Sequence, residues 1–169
     1  MAHSTAHHAK HHAASHHPTH HQPNHVDAFI QLHLTDARAV SLKTGVPVSV
    51  ILAQSGLESG WGLRMKGNAY FGVKGHAPDG GTTKFVTHEV VKGQRRQVTD
   101  SFRDYANYAD AAEDYAEMLK RCFPKAFADK NDAMKFVTHL QRYATVGNYV
   151  ERVQGVIRGH NLQQYDVKP

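Results

Sequence analysis

The 169-residue chain has a single cysteine, Cys122, so no disulfide framework can form within it. No stretch approaches 18 consecutive apolar residues, which excludes a transmembrane helix. The opening Met1-Ala2-His3-Ser4 lacks an apolar segment, and large apolar side chains begin only at Val26. A secretory signal peptide is therefore not expected. No glycine-rich phosphate loop follows a strand pattern, so nucleotide chemistry has no support. The first 25 residues contain no acid. No internal repeat is present.

What is abundant is histidine, and it is unevenly placed. Ten of the 15 histidines lie in residues 1–25, among Ala, Ser, Thr, Pro, Gln and Asn. Such a segment buries too little to offset its ordering entropy, so 1–25 reads as a disordered tail. Its His-His pairs suit loose transition-metal binding and equally suit a tail with no fixed site; no metal is assigned. Residues 26–169 read as one domain. The net charge of +5 is mild and spread along the chain. It favours an anionic partner without choosing one, and neither nucleic acid nor membrane insertion is expected. The densest basic patch, Lys92, Arg95 and Arg96, reads as a solvated hairpin tip.

The apolar spacing of Val26, Phe29, Ile30, Leu32 and Leu34, then Ala37, Val40 and Leu42, predicts helix. A break is expected near Thr35-Asp36, with Asp36 capping the second piece and Gly45 ending it. Pro47 opens another helix that runs to Gly60. A glycine-rich aromatic loop follows, from Trp61-Gly62 to Lys74-Gly75. Thr82–Val91 and Gln97–Phe102 have strand character, with Lys92–Arg95 as the hairpin loop. Helical spacing returns at 111–119, where Cys122 reads as a small core residue, at 134–143, and at 148–158. His139 is expected to find a partner on a helix edge. The predicted class is α+β: helices, a small antiparallel hairpin, then helices.

Glu58 is the residue of most interest. It lies seven positions after Ile51 and four after Gln54, so it shares the buried side of its helix. Partial burial raises a carboxyl pKa, and the negative end of the helix dipole pushes the same way. Trp61, Tyr70 and Phe71 are near enough in sequence to wall it with rings. A carboxyl kept protonated beside aromatic surface is what protonating a glycosidic oxygen requires. Periodicity alone leaves open an exposed glutamate at a helix end. On the hairpin, alternation sets Thr83, Phe85, Thr87, Glu89 and Val91 on one face. Glu89 is either the opposing carboxylate or a surface partner of Arg95 or Arg96, with Asp100 and Asp104 as rivals. His88-Glu89-Val90-Val91-Lys92 lacks the second histidine of a zinc-protease helix.

Leu57-Glu58-Ser59-Gly60-Trp61-Gly62 followed by Tyr70-Phe71-Gly72-Val73-Lys74 resembles the glucosaminidase family of peptidoglycan hydrolases, glycoside hydrolase family 73. Ser101-Phe102-Arg103-Asp104-Tyr105 resembles the family's FRxY segment. Tyr143-Ala144-Thr145 with Tyr149 resembles its YAT…Y segment, with Val146-Gly147 in place of an acidic-proline step. The resemblance covers about residues 26–162. It implies a lysozyme-like fold, with a helical lobe and a small β-lobe flanking a glycan groove. It implies Glu58 as general acid, Glu89 as the second carboxylate and Tyr143 as a sugar-orienting residue. Trp61, Tyr70, Phe71, Tyr143 and Tyr149 are the candidate substrate-binding rings.

The activity implied is hydrolysis of the β-1,4 bond on the reducing side of N-acetylglucosamine in peptidoglycan, without metal or organic cofactor. A muramidase or lytic transglycosylase on the same fold and a non-catalytic wall-binding module are the rivals. Resemblance to small secreted glucosaminidases implies an antibacterial type VI secretion effector. Such a protein is made in the cytoplasm, exported without a signal peptide, active in a target periplasm, and neutralised at home by an immunity protein that plugs the groove. A phage lysin is the alternative setting.

Overall fold

The computed structural model describes residues 24–166 apart from 92–93 and 145–146, and leaves the side chains of 87–91 and 95 undescribed. The expectations for the His-rich tail, for the side chains of Lys92 and Arg95 at the tip, and for Val146 of the Val146-Gly147 step lie outside the described residues. Helix α1 spans His25–Thr44 and α2 spans Val48–Ser59. Strands β1, Thr82–Val91, and β2, Gln94–Arg103, form an antiparallel hairpin. Helices α3, Tyr108–Cys122, α4, Ala133–Thr138, and α5, Tyr149–Gly159, complete the helical lobe with 3₁₀ turns at Pro124–Asp129 and Leu162–Tyr165. No helix among the described residues is long and apolar enough to cross a membrane.

The expected break in α1 does not occur. Phe29, Ile30, His33, Ala37, Val40 and Thr44 form one continuous buried stripe against α2 and α3. Interrupting the helix at Thr35-Asp36 would take that stripe out of register. The cap is Asn24, not Asp36: its side chain accepts from the amides of Val26 and Asp27 at 3.0 Å each. Gly45 ends the helix in the left-handed conformation, as expected.

Helix α2 is the centre of the lobe. Residues 48–56 are all buried, with α1, α5, α4 and the C-terminal 3₁₀ turn packed around them. Pro47 precedes it and provides no side-chain cap. Asp166, far along the chain, supplies one by accepting from the Ser49 amide at 2.8 Å and its hydroxyl at 2.7 Å. The C-terminal segment thereby closes over the start of the helix that carries Glu58.

Strand β1 has the predicted bounds, whereas β2 starts three residues earlier and ends one later than predicted, leaving only residues 92–93 between the strands. The short segment after Phe71 pairs with the base of β2. Arg103 donates its amide to the Val73 carbonyl at 2.8 Å, and Gly75 donates to Ser101 at 2.9 Å. This stitching joins the two lobes beside α2.

Candidate active site

Glu58 is the penultimate residue of α2 and is half-buried. Burial pushes its carboxyl pKa above the ordinary carboxylate value. A hydrogen bond from the Tyr149 hydroxyl and the positive charges of Arg152 and Arg64 pull part of the way back. The result is an acid that retains its proton to higher pH than an exposed glutamate.

Gly72 makes the space for this carboxyl. A Cβ there would sit 3.3 Å from Glu58 Oε2, and the backbone at Gly72 has φ +62°, which favours glycine. Phe71, one residue earlier, is 2% exposed and stacks on Tyr115 with centroids 4.2 Å apart. The core therefore anchors Phe71, Gly72 clears the acid, and Val73 to Gly75 pair with β2.

A cavity of about 540 Å³ opens onto Glu58. Gly72, Val73 and Lys74 line one side; Met118, Cys122 and Phe123 of the α3 end line another; Arg142, Tyr143 and Ala144 complete it. Its size falls within the range of small-ligand sites. Tyr143 donates to the Phe71 carbonyl at 2.7 Å and stacks on Tyr149 with centroids 5.3 Å apart. A half-buried acid, aromatic walls and the cations Lys74 and Arg142 share one trough. That set is suited to protonating a leaving oxygen on a large polar substrate.

Residues 34–162 match the family described as mannosyl-glycoprotein endo-beta-N-acetylglucosaminidase. The chain belongs to the glucosaminidase family. It is 37% identical over 134 residues to the peptidoglycan hydrolase FlgJ of Salmonella typhimurium, covering 72% of this chain and 42% of that protein. It is 31% identical over 129 residues to the exo-glucosaminidase LytG of Bacillus subtilis, covering 70% and 45%. The chain thus spans less than half the length of these curated relatives. Among solved structures, the catalytic domain of the autolysin Auto from Listeria monocytogenes superposes with a TM-score of 0.78 at 26% identity, covering 88% of this chain and 92% of that one. The FlgJ glycoside hydrolase domain from Salmonella typhimurium gives 0.65 at 33% identity, covering 81% and 98%. The expected lysozyme-like α+β architecture is the one these glucosaminidase domains share.

Within the glucosaminidase domain, the ring wall of Glu58 differs from expectation. Trp61 follows the helix end at φ 58°, and its ring lies over Gly56, where a Cβ would come within 2.5 Å. Gly56 is two residues before Glu58, about 200° around the helix. Trp61 therefore covers the far side of α2, against Phe29 and His160. Tyr70 is buried beside Phe29, His33 and Tyr108, and lines a separate recess with Trp61. Phe71 is in the core. The rings beside Glu58 are Tyr143 and Tyr149, with Phe123 across the cavity. Tyr149 also lines an adjoining cavity with Thr138, Gln141 and Glu151.

Glu89 stands in β1 with Arg96 as its cross-strand neighbour; its side chain lies outside the described residues. Its rivals have structural partners. Asp100 pairs with Lys74 at 2.7 Å. Asp104 accepts from the amides of Asn68 at 2.7 Å and Tyr105 at 3.0 Å, fixing the turn at Gly67. Arg103 and the Tyr105 hydroxyl both donate to Asp114 Oδ2 of α3 at 2.6 Å. The Ser101–Tyr105 motif is therefore a bracket between hairpin and helix. Cys122 is exposed on the cavity wall, not buried in the core, because the last turn of α3 ends at the trough. His139 does find its partner, Asp129 Oδ2, at 2.8 Å.

Sequence reasoning noted Gln54 only as a neighbour in spacing. It is fully buried and joins two tyrosines: Tyr115 donates to its Oε1, and its Nε2 donates to the Tyr149 oxygen at 2.6 Å. The available signal was a large polar residue one helical turn before the acid, directly after the apolar run Val50–Ala53.

Proposed function

We propose that this chain is a peptidoglycan hydrolase, an endo-β-N-acetylglucosaminidase that cleaves the β-1,4 bond between N-acetylglucosamine and N-acetylmuramic acid. The observation that carries the reading is Glu58, half-buried with raised proton affinity in a trough lined by the 72–74 segment, the end of α3 and Arg142 to Ala144. Glu58 protonates the leaving oxygen. Glu89 supports the attacking water or the positive charge developing on the sugar. Tyr143, whose hydroxyl is tied to the Phe71 carbonyl, presents its ring to the glycan.

The test is Glu58→Gln, assayed on purified cell wall. The expected outcome is an unchanged circular dichroism spectrum and melting temperature, with about three orders of magnitude lost in soluble-muropeptide release. Mass spectrometry of the wild-type digest checks the bond: new reducing ends must be N-acetylglucosamine. Muramic acid or an anhydro sugar at those ends would assign a muramidase or transglycosylase instead. Wall binding without soluble product would make the chain a binding module.

For the biological setting, we propose an antibacterial effector delivered by a type VI secretion system to a target periplasm, with an immunity protein occupying the trough in the producing cell. The support is the resemblance of the motif set to small secreted glucosaminidases. Expressing the chain fused to a periplasmic leader must lyse the host; harmless periplasmic expression sinks the effector reading.

A further inference from the structure

Tyr149 has one hydroxyl proton and two polar neighbours, Gln54 and Glu58. The buried amide decides which neighbour receives that proton. Gln54 Nε2 donates to the Tyr149 oxygen at 2.6 Å, so the hydroxyl proton is free to turn to the Glu58 carboxyl, whose proton affinity Tyr149 lowers. The amide itself is oriented from behind by Tyr115, whose hydroxyl occupies Oε1. Gln54 and Tyr115 are both fully buried, so water does not compete for either bond. The series Tyr115 to Gln54 to Tyr149 runs in one donor direction from the core toward Glu58.

The geometry points to Gln54 as a positioning residue that acts on the acid through Tyr149. Its role rests on the reading of Glu58 as the proton donor. The amide lies one turn before Glu58 on α2 and supports the tyrosine from below. It thereby holds one hydrogen bond on the carboxyl that burial alone would not provide. The carboxyl is then fixed in direction, and its proton affinity is kept from rising to the level that burial would set. Other charged and titratable groups face Glu58 too. Arg152 reaches it from α5, Arg64 from the turn after α2, and Lys74 and Arg142 from the cavity wall, with the Tyr143 and Tyr115 phenols in its field. The Gln54 and Tyr149 variants leave these in place.

The experiment is a carbon-13 NMR titration of the Glu58 carboxyl in protein labelled at glutamate, with the resonance assigned by its loss in Glu58→Gln. Tyr149→Phe removes the hydroxyl and keeps the ring on Tyr143; the Glu58 midpoint is expected to rise by about one pH unit. Gln54→Met keeps side-chain volume and removes the donor; a rise of roughly half that is expected. The double variant must match Tyr149→Phe alone, since Gln54 has no other route to the acid. The alkaline limb of the kcat profile moves with the midpoint. A merely structural Gln54 would lower the melting temperature and leave the Glu58 midpoint at its wild-type value, which overturns the proposal. A further rise from Gln54→Met in the Tyr149→Phe background also overturns it. Should Gln54→Met not fold, Tyr115→Phe frees the same amide by loss of one oxygen and must raise the midpoint in the same direction; no movement is again a refutation. The titration needs no substrate, so a glycosidase assay that fails leaves this result readable by itself.

Discussion

The rings and the buried amide around Glu58 are set by the helical core, whereas the strand that carries Glu89 belongs to a two-stranded ribbon with little core of its own. Phe85 and Phe102 meet edge to face at 5.3 Å, and Val86 is 57% exposed on the other face. Hairpins of this size are marginal in isolation. This one is fixed at its base by the pairing of Val73 and Gly75 with β2, and by Arg103, Tyr105 and Asp104. The acid is thus preorganised by packing, while the ribbon takes its position from a few polar ties at one end.

The largest effect expected in the helical half comes from Gly72→Ala. The new methyl meets the Glu58 carboxyl at 3.3 Å, and the left-handed backbone adds strain. Hydrolysis should fall by about 10- to 100-fold, with roughly 1 kcal/mol lost in stability. Gly75→Ala is the control. It shares a positive φ, +104°, but a Cβ there meets nothing within 4 Å. It should lower stability similarly and leave kcat near wild type. Equal activity losses in the two variants would mean that backbone strain, not displacement of the acid, is being measured.

A second effect separates the lobes by pH. His33 of α1 is 5% exposed, stacked on Tyr108 at 4.0 Å and edge-on to Phe29 and Tyr70. Burial lowers its pKa to about 4, against the opposing pull of Asp36. Between that value and the unfolded value near 6.5, the unfolded chain binds the proton and the folded chain does not. Stability from this site is complete above about pH 6.5 and declines as pH falls toward 4. The loss by pH 5 should be roughly 2 kcal/mol, removed in His33→Phe, which cannot take up a proton. Denaturant melts of both proteins at pH 7 and pH 5 measure it. An identical acid sensitivity in His33→Phe would place the proton uptake elsewhere.

How much of this was legible beforehand follows the same division. The seven-residue spacing from Ile51, a local property of α2, suggested the buried side for Glu58 but left an exposed helix end open, and the motif resemblance decided it. Motif order gave the family because each motif does a local structural job: a left-handed turn at Gly60, a cleared space at Gly72, a bracket at Arg103 to Tyr105. Trp61 was misplaced because its seat is an absence, the missing side chain of Gly56, which spacing does not report. Cys122 was misplaced because the place where α3 ends relative to the trough is a tertiary fact. The bond from Asp166 to Ser49 joins distant ends of the domain and has no signal in sequence.

The smallest effect is the most direct test of the contrast between lobes. Asp114→Asn keeps the shape of the α3 side chain and removes the charge that holds Arg103 and the Tyr105 hydroxyl. The pair is mostly buried, with side chains 22% and 16% exposed, so the bond is worth more than a surface ion pair. A loss of about 1–2 kcal/mol is expected, confined to the ribbon. Hydrogen exchange is the appropriate measurement because it reads each amide separately. The amides of Arg103 and Gly75, which stitch the hairpin to the segment beside Glu58, should exchange about ten-fold faster. Those of α2 should stay at wild-type rates, since none of their partners touches Asp114. Equal acceleration in α2 would show that the two lobes open as one cooperative unit and that the acid depends on the ribbon for its order.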